Sequence, residues 1–395
     1  MNDSRSASHA VLADRIFDGH RWHTNAALLI RGGRIAALVS WGEVPADGPQ
    51  TRVPPGAFLV PGFIDLQVNG GGGVLLNDEP TTDTMRSIAR AHRAFGTTAC
   101  LPTLISDTLE QVRAAIAAAR NVGGRDGVLG LHLEGPFISP HRHGVHRPDR
   151  VRKPDKGDLE LLCDLAQAGT SMITLAPECV PARFVRSLAS KGVRISIGHS
   201  EASAAVVMQA VTDGASGVTH LFNAMPPLSA RSPGIIGTAL AEDRITAGLI
   251  VDGFHVDPVT VRAAFAAMGC DRIALVTDAM PTVGSSLERF QLMGRTITLT
   301  NGRLATEEDK LAGAHLDMVS AVRNTVRLAG VPLENALRAA SLAPARFLGL
   351  ENERGILAPG ARADFVVLTP ELIVFETWID GNADGLANAR PRVEW

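Results

Sequence analysis

Glu134, His199, His220 and Asp278 each stand where a short apolar run stops, in GLHLEGPF (130–137), ISIGHS (195–200), VTHLFNAM (218–225) and ALVTDAM (274–280). One carboxylate and two imidazoles drawn from separate segments make up the ligand set of a catalytic zinc-type site. Such a site keeps one coordination position open for water. Asp278, a further carboxylate, is then free to manage that water's proton. These residue types point to metal-dependent hydrolysis. No serine nucleophile competes with that reading, since the chain has no GxSxG and Ser200 is expected to N-cap a helix.

The elements that must hold these groups can be counted. Eight apolar, β-favouring runs occur at 56–70, 97–105, 127–135, 171–178, 192–200, 217–223, 246–255 and 272–279. Helical patterns separate most of them. Examples are 81–96 and 107–121, the second opening on Asp107 with Glu110 three residues later in capping-box fashion. Another opens at Asp257-Pro258, an N-cap followed by Pro at the first helical position. Strands that are hydrophobic throughout and alternate with helices argue for a (β/α)₈ barrel of the TIM type. In that fold active sites gather at the carboxyl ends of the strands. Glu134, His199, His220, His255 and Asp278 fall at the ends of runs 3, 5, 6, 7 and 8. Further helices are expected over 315–330 and 332–349. Residues 1–55 and 351–395 read as short strand-like pieces that build a small β-sandwich, leaving 56–350 as the catalytic barrel.

The chain has 395 residues, 45% hydrophobic and 20% charged, enough for a large core. Its net charge of −3 comes without a basic block, which argues against nucleic acid and anionic membrane as partners. Four scattered cysteines (Cys100, Cys163, Cys179, Cys270) form no CxxC pair and suggest a reduced, cytoplasmic setting. The first residues contain no apolar signal-type stretch, and no apolar run approaches a membrane span.

PGFIDLQVNG (61–70), HLEGPF (132–137), GHS (198–200), THLFNAMPPL (219–228), DGFH (252–255) and VTDA (276–279) occur in this order. Together they closely resemble the N-acetylglucosamine-6-phosphate deacetylase family of the amidohydrolase superfamily. The C-terminal GxLAPGxxADFVVL pattern (355–368) resembles the superfamily's accessory sandwich. The resemblance implies hydrolysis of the acetamide of N-acetyl-D-glucosamine 6-phosphate to glucosamine 6-phosphate and acetate; deacetylases of epimeric sugar phosphates, such as N-acetylgalactosamine 6-phosphate, share the motifs. It implies one divalent metal ion per subunit on Glu134, His199 and His220, zinc first, with Fe, Co or Mn also compatible with such ligands. Asp278 becomes the acid–base group, and His146 the donor to the acetyl carbonyl. Val145, His146, Asn223, Ala224, Arg231, His255, Leu311, Ala312 and Gly313 are expected to bind substrate, with Arg231 and His255 on the phosphate. The family often completes this site across a homodimer interface.

Where many amidohydrolases carry an HxH pair for a second metal, this chain has Gln67 and Asn69. Neutral amides are poor ligands for such a cation, so one metal is expected, with Gln67 beside it. None of the four lysines (Lys153, Lys156, Lys191, Lys310) ends a strand run, which removes the bridging lysine of binuclear sites. His132, two residues before Glu134, is expected to fill a barrel layer. In HRHGVH (141–146), His141 and His143 are expected to be solvated. Asp65 is read as structural, and Asp252 as shaping the DGFH turn.

Overall fold

The computed structural model describes residues 9–385, so the outer ends of the expected terminal unit, 1–8 and 386–395, lie outside the described residues. All eight runs contribute a parallel strand, each paired with the next in chain order: β1 (Phe63–Val68), β2 (Thr97–Ile105), β3 (His132–Glu134), β4 (Met172–Leu175), β5 (Arg194–Ile197), β6 (Gly217–Val218), β7 (Thr246–Leu249) and β8 (Ile273–Leu275). A parallel bridge from Val68 to Ala279 closes the ring. Every residue of β1 and β2 is buried. Such strands are covered on both faces, by side chains filling the barrel and by helices outside, which is why they read as continuous apolar runs.

The run at 56–70 is two strands. Phe58–Pro61 pairs antiparallel with Phe365–Leu368 and parallel with His9–Phe17, outside the barrel. Gly62 then turns the chain into β1 at a spot with no room for a side chain. A Cβ there would lie 2.2 Å from Thr98 Oγ1. The terminal strands form one eight-stranded sheet with its own core, including Ile16, Leu28, Leu59, Phe365 and Trp378.

Helix boundaries show which local signals won. Asp257 caps Pro258–Met268 by accepting from Val259 N, as the Asp-Pro pair predicts. Thr108, not Asp107, caps Leu109–Val122; Asp107 instead accepts a hydrogen bond from the Asn77 amide. Ser203 caps Ala204–Thr212, so Ser200 is not the expected cap; its hydroxyl donates to Glu178 at 2.7 Å. The helical stretch 332–349 breaks at Ser341 into Leu333–Ala340 and Leu342–Leu348, where the Ser341 hydroxyl donates back to Leu337 O.

A three-stranded antiparallel insert (Arg289–Leu292, Arg295–Thr300, Arg303–Ala305) follows β8. Its Leu292, Ile297 and Leu304 pack with Leu75, Ile105, Met280 and Ala312.

Candidate active site

β3, β5, β6 and β8 stop within four residues of the four groups named at the outset, and three of those groups share an unusual backbone. His199, His220 and Asp278 have φ of +49°, +30° and +49°. Left-handed backbone is uncommon in non-glycine residues and costs energy that only a functional demand or tight surroundings maintain. The kink turns each side chain inward at the strand's end.

Glu134 Oε1 lies 3.1 Å from His199 Nε2 and 3.0 Å from His220 Nε2, and the two imidazole nitrogens are 3.0 Å apart. All three side chains are buried. His199 donates Nδ1–H to the Arg142 carbonyl at 2.7 Å, which leaves Nε2 as a bare lone pair aimed at the other two groups. Three donor atoms thus converge on one point, an arrangement able to hold a cation. For ligand bonds of 2.0–2.2 Å, tetrahedral geometry spaces donor atoms by about 3.3–3.6 Å, a few tenths of an ångström wider than the 3.0–3.1 Å found here. The residues present fit one divalent ion. Burial pushes Glu134 upward, but the hydrogen bonds and charge of His199 and His220 outweigh it and hold the carboxyl well below its ordinary value.

Glu134, His146 and His199 form another possible triad, with ligand atoms within 4.8 Å of one another. The hydrogen bonds of His146 argue against it. Its Nδ1 accepts from both the Ser106 backbone N–H (3.2 Å) and the Ser106 hydroxyl (2.8 Å). A backbone N–H can only donate, so Nδ1 is unprotonated. Burial, then the neighbouring His199, lowers this imidazole's pKa to about 3. A neutral ring with Nδ1 as acceptor carries its proton on Nε2, as a donor rather than a metal ligand.

Asp278 is held from the first strand. Gln67 Nε2 donates to both Glu134 Oε2 (3.1 Å) and Asp278 Oδ1 (3.2 Å), and Asn69 Nδ2 donates to the same Oδ1 at 2.6 Å. Burial, then repulsion from Glu134, raises the Asp278 pKa to about 6. That value suits a group that must take and return a proton near neutrality.

These groups face a cleft of about 350 Å³. Glu134, Val145, His146, His199, His220, Asn223, Ala224, His255, Asp278, Leu311 and Gly313 line it. His255 is oriented by Asp252, which accepts its Nδ1–H at 2.6 Å and the backbone N–H groups of Phe254 and His255. Gln67 is buried outside the lining and meets it through its hydrogen bonds to Glu134 and Asp278. Two expected contacts are not brought in. Ala312 is buried in the apolar cluster under the insert, and Arg231 stands exposed on the loop before Gly234–Ala241, apart from the cleft lining.

His132 is fully buried between the hydroxyls of Thr103 (3.3 Å) and Thr174 (2.8 Å), and burial lowers its pKa to about 4. Asp65 accepts from the Thr277 hydroxyl at 2.5 Å and from Gln67 N. His143 is not solvated as expected: half-buried, it donates Nδ1–H to His146 O. His141 is exposed and lines the cleft. Sequence reasoning missed Arg142, Asn69 and Ser106 as contributors. Only Asn69 left a signal, its place opposite the superfamily's second histidine.

The description of the amidohydrolase family matches residues 58–385. The chain belongs to the amidohydrolase family. This amidohydrolase is 40% identical over 363 residues to the N-acetylgalactosamine-6-phosphate deacetylase of Shewanella sp. (strain ANA-3), covering 90% of this chain and 91% of that one. It is 35% identical to the N-acetylglucosamine-6-phosphate deacetylase of Haemophilus influenzae, covering 90% and 93% of the two chains. Its fold superposes on the crystal structure of the Pasteurella multocida N-acetylglucosamine-6-phosphate deacetylase with a TM-score of 0.92, at 33% identity over 95% of this chain and 99% of that one. Among the described residues no helix is long and apolar enough to cross a membrane.

Proposed function

We propose that this amidohydrolase removes the acetyl group of N-acetyl-D-glucosamine 6-phosphate, giving D-glucosamine 6-phosphate and acetate, with one divalent ion, most simply zinc, on Glu134, His199 and His220. The observation that carries the reading is the convergence of those three donor atoms beside a buried carboxylate whose pKa is raised to about 6.

The ion, when bound, supplies a Lewis acid and acidifies a water toward neutrality. Asp278 takes the proton of the attacking water and returns it to the departing sugar nitrogen. Gln67 and Asn69 keep its Oδ1 fixed while the charge changes hands. His146, held neutral with Nε2–H outward, donates to the acetyl oxygen as negative charge grows there. Val145, Leu311 and Gly313 border the sugar, and Asn223, the Ala224 backbone and His255 meet the phosphate. We read Arg231 as serving the phosphate of a second copy: it stands exposed outside its own cleft, and Leu228, three residues before it, is a large apolar side chain exposed at 51%. We therefore read the active form as a cytoplasmic homodimer. Mixing an Asp278→Asn subunit with an Arg231→Ala subunit restores activity if Arg231 acts across the interface.

N-acetyl-D-galactosamine 6-phosphate is the second reading, favoured by the 40% identity to the Shewanella enzyme. Acetate release measured on the gluco, galacto and manno epimers decides between them. Absence of turnover on all three sinks the proposal.

A further inference from the structure

The loop after β3 touches the site twice. It supplies His146, and its Arg142 carbonyl takes the Nδ1–H of the ligand His199. The contact is reciprocal at the backbone, where Ser139 N donates to His199 O at 2.8 Å. Gly144 lies against the ring, its Cβ position 3.4 Å from His199 Cε1, and its φ of +57° is what favours glycine there. The rings of His146 and His199 are in edge contact, their centroids 4.6 Å apart.

One side-chain tether ties this loop to the residues just after His199. Arg142 Nε lies 3.3 Å from Glu201 Oε1, both side chains about two-thirds covered; the contact is an ion pair by distance, without the alignment of a hydrogen bond. Glu201 is itself placed by Glu178, whose carboxylate accepts the Glu201 N–H and the Ser200 hydroxyl, each at 2.7 Å. Glu178, Glu201 and Arg142 thus run as a chain from the β4 end, through the β5 end, to the loop bearing His146.

We propose that Arg142 and Glu201 form a latch that positions His199 and His146 relative to each other, and so sets metal affinity and turnover from outside the reacting groups. The inference rests on the metal reading of Glu134, His199 and His220. Groups that orient a ligating histidine typically change metal affinity by about 10–100-fold when lost directly. Here the Arg142 carbonyl survives any side-chain substitution and only its anchorage loosens, so a smaller effect of about three- to tenfold is expected.

The test is a double-substitution cycle read by chelator-competition titration of Zn²⁺ on folded apoprotein, alongside kcat and KM. Glu201→Ala and Arg142→Ala are each expected to weaken Zn²⁺ binding about three- to tenfold and to lower kcat with KM changed less than about twofold. The double variant should be no worse than the weaker single, and the exchanged pair Arg142→Glu/Glu201→Arg should recover part of the loss. Wild-type metal affinity in Glu201→Ala overturns the latch while leaving the metal reading intact. A rise in KM alone in Arg142→Ala, with Glu201→Ala silent, also overturns it, by making Arg142 a substrate contact. Failure of the wild-type protein to bind Zn²⁺ overturns the metal reading itself and the latch with it.

Discussion

The Asn69 amide donates to Asp278 Oδ1 at 2.6 Å, and Gln67 reaches the same oxygen at 3.2 Å. Two neutral amides from the end of the first strand thus converge on one buried carboxylate oxygen. Asn69→Ala is therefore expected to retain metal and lower kcat by about one order of magnitude, the loss of roughly one charge-assisted hydrogen bond. Metal analysis beside steady-state kinetics checks it, and an unchanged kcat refutes it.

Removal of metal should be decisive. Prolonged chelation is expected to abolish acetate release, and one equivalent of Zn²⁺ or Co²⁺ per subunit to restore it. Glu134→Ala should lose both metal and activity, whereas His132→Ala, cut from a layer of threonine hydroxyls, should keep its metal. The reverse pattern would show that the wrong member of the pair was assigned.

Asp278→Asn should keep metal and substrate affinity while kcat falls by at least ~10²–10⁴. The wild-type pH profile follows from the raised pKa. Burial and Glu134 favour the protonated acid, so the base form is depleted as pH falls through about 6. A bound cation favours the carboxylate, which moves the limb to that value or below it. The rate should drop about tenfold per pH unit under the limb. Near-normal turnover in the asparagine variant would shift the proton transfer to another group.

His146→Ala removes the Nε2–H donor, and kcat should fall about 10²–10³-fold with metal content unchanged. Because this imidazole stays neutral down to about pH 3, its donor role should add no ionisation of its own to the profile above pH 5. A new limb near pH 6.5 in the wild type, absent from the variant, would contradict the assignment.

The terminal sheet should matter for stability before chemistry. Asp364 is buried against Arg354 and Arg362 and accepts the Asp380 N–H at 2.8 Å. Asp364→Ala leaves Arg354 nearly buried without its partner, which costs about 3–5 kcal/mol. A lowered unfolding midpoint with unchanged kcat in the folded fraction is the expected result.

The barrel was legible because parallel strands covered on both faces write themselves as apolar runs, and Glu134, His199, His220 and Asp278 interrupt those runs at one end. The break between Phe58–Pro61 and β1 was not legible. Pro61-Gly62 sits inside a run whose halves are equally apolar, and only their pairing partners distinguish them: Phe365–Leu368, about 300 residues on, for the first half and β2, about 35 residues on, for the second. Ser106 beneath His146 left no trace either, since a serine 40 residues distant carries no local pattern. Arg231 was readable as a cation beside a site motif, but not its exposed place outside the cleft lining.

The seam that closes the barrel also dates the site's assembly. Asp278 N donates to Gln67 O, Asn69 N and Gly70 N donate to Ala279 O, and the Gln67 and Asp278 side chains meet across 211 positions of sequence. A ribosome making this chain releases the amides of strand 1 long before the carboxylate they hold exists. Glu134, His199 and His220 all precede Asp278 in that order of synthesis. The proposed metal ligands are therefore all synthesised before the proposed base, which enters with the last strand and the closing of the ring.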